Sequence, residues 1–513
     1  MQTHFTDTQL EDPQLREADS ILRKCVHCGF CTATCPTYVM TGDERDSPRG
    51  RIWMMRELLE SPDSVSSDTG YHLDRCLGCL ACTTTCPSGV DYHHLIEIGR
   101  ERMDKIVSRP AGDRMMRWLL ARVIPYAGRF RVMIQLGRIG KLFSPLLPAS
   151  MRAALAKLPS RLPALDRVGG KTMHFKPRTS STRRVILLAG CAQRALDPGI
   201  NASTIRVLNK LGVEVTVRQE AACCGALAHH IGESKAAHQT VRAALLAWRE
   251  ELERGDVDAI IANASGCGTM VKDYAHMVGD DPELGASARQ VSGLARDITE
   301  VIADLPLESI IDKAPEGRGT ITYHSACSLQ HGQKIHDLPI RLLREAGFEV
   351  RQPLEPHLCC GSAGVYNILQ PEMADGLRQR KLDNIAKAGA PMVAAGNIGC
   401  IQQLDGDIPV RHTIQYIDWA SGGPPAVQDC RHGRSIVQQG QSADIEEGVA
   451  LVVGDDEGRE VLDLDLPHRF HAELRIFQNL DLLDRLKRQL GRDTADAAER
   501  EAAMGLAALE HLT

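Results

Sequence analysis

Aromatic residues make up only 4% of the 513-residue chain. That scarcity excludes a stacking platform for single-stranded nucleic acid, which needs successive exposed rings. No uninterrupted apolar run reaches the roughly 18 residues that a membrane-spanning helix requires. The opening M-Q-T-H-F-T-D-T-Q-L-E-D-P-Q is polar and acidic, without the basic start and apolar stretch of a secretory signal. Neither a G-x-G-x-x-G loop nor a Walker motif occurs, so no flavin, nicotinamide or nucleotide loop is evident. A net charge of −6 argues against a general nucleic-acid binder, and no nucleic-acid partner is expected. Together these absences point to the cytoplasm, where thiols are kept reduced.

The chain is rich in cysteine, with 17. In a reducing compartment such a number reads as metal ligands rather than disulfides. The cysteines divide the chain into expected domains. Residues 15–100 hold eight, and residues 101–180 hold none. Residues 181–300 and 315–420 hold four each, and residues 430–513 hold only Cys430, read as a free thiol without a role. Charge is uneven as well. Residues 113–161 carry ten Lys or Arg against a single acid, Asp113, whereas residues 429–513 carry ten against eighteen acids.

Two internal repeats stand out. The short one is C-x2-C-x2-C-x3-C-P, beginning at Cys25 and again at Cys76. This spacing is that of a ferredoxin with two 4Fe-4S clusters, in which the fourth Cys of each run ligates the other cluster. Cluster one is therefore assigned to Cys25, Cys28, Cys31 and Cys86, and cluster two to Cys76, Cys79, Cys82 and Cys35. Zinc sites use C-x2-4-C pairs and have no need of a third and fourth Cys before proline, twice over. Between the runs, S-P-R-G-R-I-W-M-M-R-E-L-L-E reads as a turn and an amphipathic helix, so a helical ferredoxin module is expected. Arg49 and Arg51 there either pair with acids and balance anionic clusters or merely solvate the surface.

The long repeat runs from a buried strand ending at Cys191 or Cys327, through a helical stretch and a second strand, to Cys223-Cys224-Gly225 or Cys359-Cys360-Gly361. Both copies place 31 residues between the first Cys and the pair, and close with a strand-like run ending at Cys267 or Cys400. Strands alternating with helices imply parallel α/β units, and two in tandem are expected to face each other across a pseudo-twofold. The fold class is thus α+β multidomain: a helical two-cluster ferredoxin module, a tandem pair of α/β Cys-Cys-Gly units, and a small C-terminal module. In that last module residues 450–464 read as a hairpin and residues 468–512 as two helices. His93, His94, His229, His230, His324 and His331 cluster near the cysteines; capping, packing or hydrogen bonding to sulfide accounts for them.

C-V-H-C-G-F-C-T-A-T-C-P-T-Y, G-D-E-R-D-S-P-R-G-R-I and L-D-R-C-L-G-C-L-A-C-T-T-T-C-P-S-G-V-D-Y-H resemble the iron-sulfur subunit of glycolate oxidase, as do A-S-G-C-G, H-L-C-C-G-S-A-G and V-R-H further on. The Cys-Cys-Gly class is shared with heterodisulfide reductase, lactate-utilisation and anaerobic glycerol-3-phosphate dehydrogenase subunits. The resemblance implies an electron-transfer subunit of an oxidoreductase, not catalytic alone. A partner subunit carrying FAD would oxidise glycolate to glyoxylate, and electrons would pass toward quinone. It allows one or two further clusters, at Cys191, Cys223, Cys224 and Cys267 and at Cys327, Cys359, Cys360 and Cys400. In the fullest form of the motif a fifth cysteine follows; here Met270 and Gln403 stand in its place, which argues against a five-thiolate cluster. A lactate or glycerol-3-phosphate dehydrogenase subunit, or a thiol-disulfide reductase using the Cys-Cys-Gly units, stays open. The basic segment 113–161 suits either an arm packed within the complex or a peripheral contact on the inner face of the plasma membrane.

Overall fold

Capping chemistry sets the helices of the first hundred residues. In the computed structural model, Asp12 accepts a hydrogen bond from Gln14 N at 2.9 Å and Pro13 takes the first helical position, opening α1 (Pro13–Lys24). Leu15, Ala18, Ile21 and Leu22 recur at helical spacing and are buried. The one-turn helices α2 (Phe30–Thr34) and α3 (Pro36–Thr41) follow. Ser47 caps α4 (Pro48–Glu60) by accepting from Gly50 N at 3.0 Å. Gly50 is required there, because a Cβ would sit 2.0 Å from Glu44 O. Ile52, Met55 and Leu58 of α4 pack on α7 (Tyr92–Ile106), with α5 (Ser67–Asp74) and α6 (Ala81–Thr85) between them in the chain. Fully burying each such side chain contributes about 1.5–3 kcal/mol. The expected helical ferredoxin module is what forms.

The structure describes residues 1–106, 109–141, 155, 158–159, 162–164, 168–178, 181, 183–314, 317–427, 448–455 and 458–465. The expected helices over 468–512, Cys430 and much of segment 142–161 lie outside them.

The cysteine-free segment folds back as α8 (Ala111–Val123) and α9 (Ala127–Gly140). Leu120, Ala121 and Ile124 bury against Ala228, Ile231 and Val365, so this arm packs on both Cys-Cys-Gly units.

Strands β1 (Met173–Phe175), β2 (Arg183–Leu188), β3 (Val213–Val217), β4 (Ala259–Ala262) and β5 (Ala295–Asp297) form one sheet in the order β1-β3-β2-β4-β5. All neighbours are parallel except β1 with β3. Strands β6 (Thr320–His324), β7 (Glu349–Arg351), β8 (Met392–Ala395) and β9 (Val410–His412) repeat the parallel part in the order β7-β6-β8-β9. Burial of β2, β4 and β8 on both faces is why they read as continuous apolar runs.

Each unit carries a fourth parallel strand, β5 or β9, that the sequence reading does not anticipate. It is three residues long and ends at a capping box, Asp297 with Glu300 or His412 with Gln415. Too short for a visible alternation, it is marked only by its cap. The units exchange helices across their pseudo-twofold. Gly199–Lys210 of the first packs on Thr413–Ala420 of the second, and Leu338–Glu345 of the second packs on Ile298–Ala303 of the first. Arg206 Nε donates to Asp418 Oδ2 at 3.0 Å across that seam.

The chain divides into two compact units at Val427. The described part of the second is an antiparallel hairpin, β10 (Gly448–Asp455) with β11 (Gly458–Asp465), as expected.

Candidate metal centres

Both ferredoxin loops have the same backbone. The second and fourth residues after each leading Cys are left-handed: His27 (φ 56°) and Gly29 (φ 88°) in one, Gly78 (φ 62°) and Leu80 (φ 63°) in the other. These reversals turn three thiols to one side of each loop. Each loop then runs into a one-turn helix, α2 or α6, that stops at Cys35 or Cys86 with extended backbone. The two short helices lie side by side, with Thr85 Oγ1 donating to Thr34 Oγ1 at 3.2 Å. Each fourth Cys is thereby delivered to the other loop.

The result is two adjacent cavities. One is lined by Cys25, Cys28, Cys31 and Cys86. The other is lined by Cys35, Cys76, Cys79 and Cys82. Cys82, Pro48 and Tyr92 border both. The first lies near solvent: Cys28 is exposed, and Val26 (67%), Phe30 (62%) and Trp53 (50%) stand around it. In the second, all four cysteines are buried.

Burial pushes the Cys31 thiol up to about 11 and drives Cys79 and Cys82 well above their ordinary value. Cys76 differs. Burial pushes it up too, but the Arg51 and Arg100 guanidiniums beside it outweigh that and leave it below the ordinary value. Packed free thiols cannot all ionise unless a cationic centre compensates them. The donor set therefore fits an iron-sulfur cluster in each cavity.

Arg49 and Arg51, two residues apart, have different fates. Arg49 pairs with Glu44 at the half-exposed rim of the first cavity. Arg51 is 1% exposed. It donates to His72 O (2.8 Å), Thr37 Oγ1 (3.1 Å) and Asp46 Oδ1 (3.2 Å), and lies 3.9 Å from Cys35 Sγ. Asp46, fully buried, also takes Arg75 at 2.8 Å.

The Cys-Cys-Gly cysteines sit just beyond the C-terminal ends of parallel strands, where open α/β sheets bind their ligands. In the first unit the thiols of Cys191, Cys223, Cys224 and Cys267 touch in that order. The second repeats the chain, with Cys327 Sγ 3.8 Å from Cys359 Sγ and then Cys360 and Cys400. Thiol–thiol hydrogen bonding and burial raise Cys191 and Cys327 well above the ordinary value. Gly361 must be glycine: its φ is 86°, and a Cβ would meet Ala374 O at 2.5 Å. Met270 packs into the first unit's core, and Gln403 is tied to Asn367 and Ala374 O.

One adjacency is invisible in the sequence. Cys79 and Ala81 of the ferredoxin module share a small apolar cluster with Cys359, flanked by Leu77 and Cys327. Thr84 Oγ1 meets His331 Nδ1 at 2.8 Å beside it. The buried ferredoxin cavity thus abuts the second Cys-Cys-Gly unit.

Family models of a 4Fe-4S dicluster domain and a cysteine-rich domain match residues 21–90 and residues 185–272 and 321–405 respectively. The glycolate oxidase iron-sulfur subunit of Escherichia coli is 42% identical over 424 residues, covering 82% of this chain and 99% of that protein. The chain belongs to the glycolate oxidase iron-sulfur subunit family. A probable glycolate oxidase iron-sulfur subunit of Bacillus subtilis is 32% identical over 398 residues, 75% of this chain and 88% of that one. Lactate utilization protein A of Geobacillus kaustophilus is 25% identical over 226 residues, 44% of this chain and 91% of that one.

In this glycolate oxidase subunit homologue most of the clustered histidines are satisfied structurally. His93 Nε2 and His229 Nε2 each lie 3.1 Å from Glu97 Oε1. His94 bridges Asp91 (2.7 Å) and Asp273 (3.0 Å), tying α7 to the first Cys-Cys-Gly unit. His276, paired with Glu17 at 2.7 Å, stacks on it. Burial works against His94 protonation, but Asp273 and Asp91 outweigh it and raise the group from 6.5 to about 10. A raised histidine contributes stability that is complete below its unfolded value and is lost as pH rises through the folded one. The window here is therefore pH 6.5 to about 10. Across it the urea midpoint of the wild type is expected to fall more steeply than that of His94→Gln. At pH 6 that variant should be less stable by about 1.5–3 kcal/mol, typical of hydrogen bonds to charged groups. Parallel pH dependences would remove the bridge from the account.

Proposed function

We propose that the chain is the electron-transfer subunit of a glycolate-oxidising complex. It would receive electrons from a partner flavin subunit that converts glycolate to glyoxylate and relay them toward the quinone pool. The observation that carries this reading is the pair of adjacent four-cysteine cavities, one opening to solvent and the other abutting a second thiol site. A 4Fe-4S cluster held in each, by Cys25, Cys28, Cys31 and Cys86 and by Cys35, Cys76, Cys79 and Cys82, would supply one-electron redox chemistry.

The chain's own residues define a direction. Entry is at exposed Cys28, where Val26, Phe30 and Trp53 offer an apolar rim for the flavin subunit. Cys82 and Tyr92 form the wall between the cavities. Exit is by Cys79 toward Cys327 and Cys359. The Cys-Cys-Gly thiols, Cys191, Cys223, Cys224 and Cys267 with Cys327, Cys359, Cys360 and Cys400, are proposed as further metal sites. The domains that carry these roles are proposed at 15–100, 181–300 and 315–420, with 101–180 as the connecting arm and 430–513 as an appended module.

The isolated chain is expected not to turn over glycolate with an artificial acceptor, and adding the flavin subunit should restore turnover. Glycolate oxidation by the isolated chain would sink the reading.

A peripheral membrane contact is proposed on α8 and α9. No helix among the described residues is long and apolar enough to cross a membrane. Away from their buried positions, however, α8 and α9 expose Trp118, Leu136 and Ile139 among several arginines. Flotation with anionic vesicles but not neutral ones is expected, each basic residue contributing about 1 kcal/mol. Equal flotation with both, or none, would exclude this contact.

A further inference from the structure

His324 lacks what the other histidines near the cysteines have. It is the last residue of β6 and is 1% exposed. Neither ring nitrogen has a hydrogen-bond partner among the described residues. A buried polar group left unsatisfied is destabilising, and imidazole has two. One of its nitrogens lies within 4.8 Å of both Cys360 Sγ and Cys400 Sγ, which are within 4.8 Å of each other. With metal–sulfur bonds near 2.3 Å and metal–nitrogen bonds near 2.0 Å, ligand atoms sharing one tetrahedral ion are about 3.5 Å apart. A small closure brings these three onto one ion.

The first unit serves as an internal control. Its strand β2 ends at Leu188, three residues before Cys191, as β6 ends at His324, three residues before Cys327. Leu188 lies in an apolar core cluster. If this position served only packing, an apolar side chain would satisfy both units. In the second the position is instead a ligand-competent group aimed among buried thiols.

We propose that the second Cys-Cys-Gly unit holds an iron centre of mixed ligation, in which His324 binds the metal beside Cys360 and Cys400, and one of the neighbouring thiolates Cys327 and Cys359 completes the four-coordinate set. The first unit, with Leu188, cannot reproduce it, so the two copies of the repeat are chemically unequal. Iron rather than zinc follows from position: Cys359 and Cys327 share an apolar cluster with Cys79, so a metal here is placed to exchange electrons with the ferredoxin module. The inference rests on the proposal that this unit binds metal, not on the identity of the substrate.

The test measures iron, zinc and acid-labile sulfide in the anaerobically purified full-length chain as wild type, His324→Leu and Cys360→Ser. Both variants should lose the same increment of iron, with the EPR signals of the ferredoxin module unchanged. A His324→Leu protein with wild-type iron and spectrum overturns the proposal. So does stoichiometric zinc in place of the iron, or a Cys360→Ser protein that loses none. Should the variants fold poorly, wild-type protein labelled with nitrogen-15 histidine answers without any substitution. Direct ligation predicts a strong nitrogen hyperfine coupling in pulsed EPR that the all-cysteine ferredoxin sites cannot produce. Weak couplings alone, as from a hydrogen bond to sulfur, contradict it. None of these readouts involves glycolate, so failure here is distinct from failure of the electron-carrier reading.

Discussion

Replacing Cys35 by Ser is expected to strip iron from the buried ferredoxin cavity and leave the exposed one loaded. Cys35 belongs to the first cysteine run by sequence, yet it lines the cavity of Cys76, Cys79 and Cys82. The reason is the extended backbone at Cys35 followed by Pro36, which ends α2 and starts α3 so that the thiol leaves its own loop. Cys86→Ser should do the converse, emptying the cavity of Cys25, Cys28 and Cys31. Each variant should lose about four of the roughly eight ferredoxin irons. The two losses should also differ in EPR, because one cavity is near solvent and the other is buried. Loss of the Cys25 site in Cys35→Ser would reverse the crossed assignment.

The second large effect is at Arg51. Its guanidinium is buried against Asp46, itself fully buried, and borders two thiols of the inner cavity. Removing one member of a buried ion pair leaves an uncompensated charge and costs about 3–5 kcal/mol. Arg51→Met should therefore lower the unfolding free energy by about that much. Changing Asp46→Leu in the same protein should recover part of the loss, since no buried carboxylate is then left short of the charge Arg51 supplied. Recovery stays partial because His72 and Arg75 then lose their shared acceptor. Arg51→Met should also move the midpoint potential of the inner site downward. Reduction adds negative charge to a cluster, and a nearby buried cation favours that state. A stable Arg51→Met protein with an unshifted inner potential would show that the arginine neither balances the site nor holds its walls.

The ferredoxin module was legible in the sequence because its chemistry is local. Spacings of two and three residues before proline determine which thiols share a loop, and the twofold repetition implies the exchange of Cys35 and Cys86. The Cys-Cys-Gly units were legible at one remove, since buried strands such as β2 and β8 are long apolar runs. Strands β5 and β9, at three residues, show no periodicity and surface only through their caps. The residues that distinguish the inner end of the molecule were not legible. Thr84 and His331 meet across 247 residues, and Cys79 reaches Cys359 across a similar span. No pattern of period 2 or 3.6 encodes such contacts. Arg49 and Arg51 looked alike in one motif, and only packing separates an exposed ion pair from a buried one. The sequence groups His324 with five other histidines, and only the absence of partners among the described residues sets it apart. The signal that could have found it is the mismatch with Leu188 when the two copies of the long repeat are laid together.

The central claim is that this chain carries electrons it does not itself extract. The most direct measurement is anaerobic EPR of the chain mixed with glycolate, with and without the proposed flavin subunit. The account predicts that the oxidised sites stay oxidised with glycolate alone and become reduced when the flavin subunit is added, and that no reduced ferredoxin signal appears in either mixture when Cys35 and Cys86 are both Ser. Reduction by glycolate in the isolated chain, or none when the flavin subunit is present and active, would contradict it.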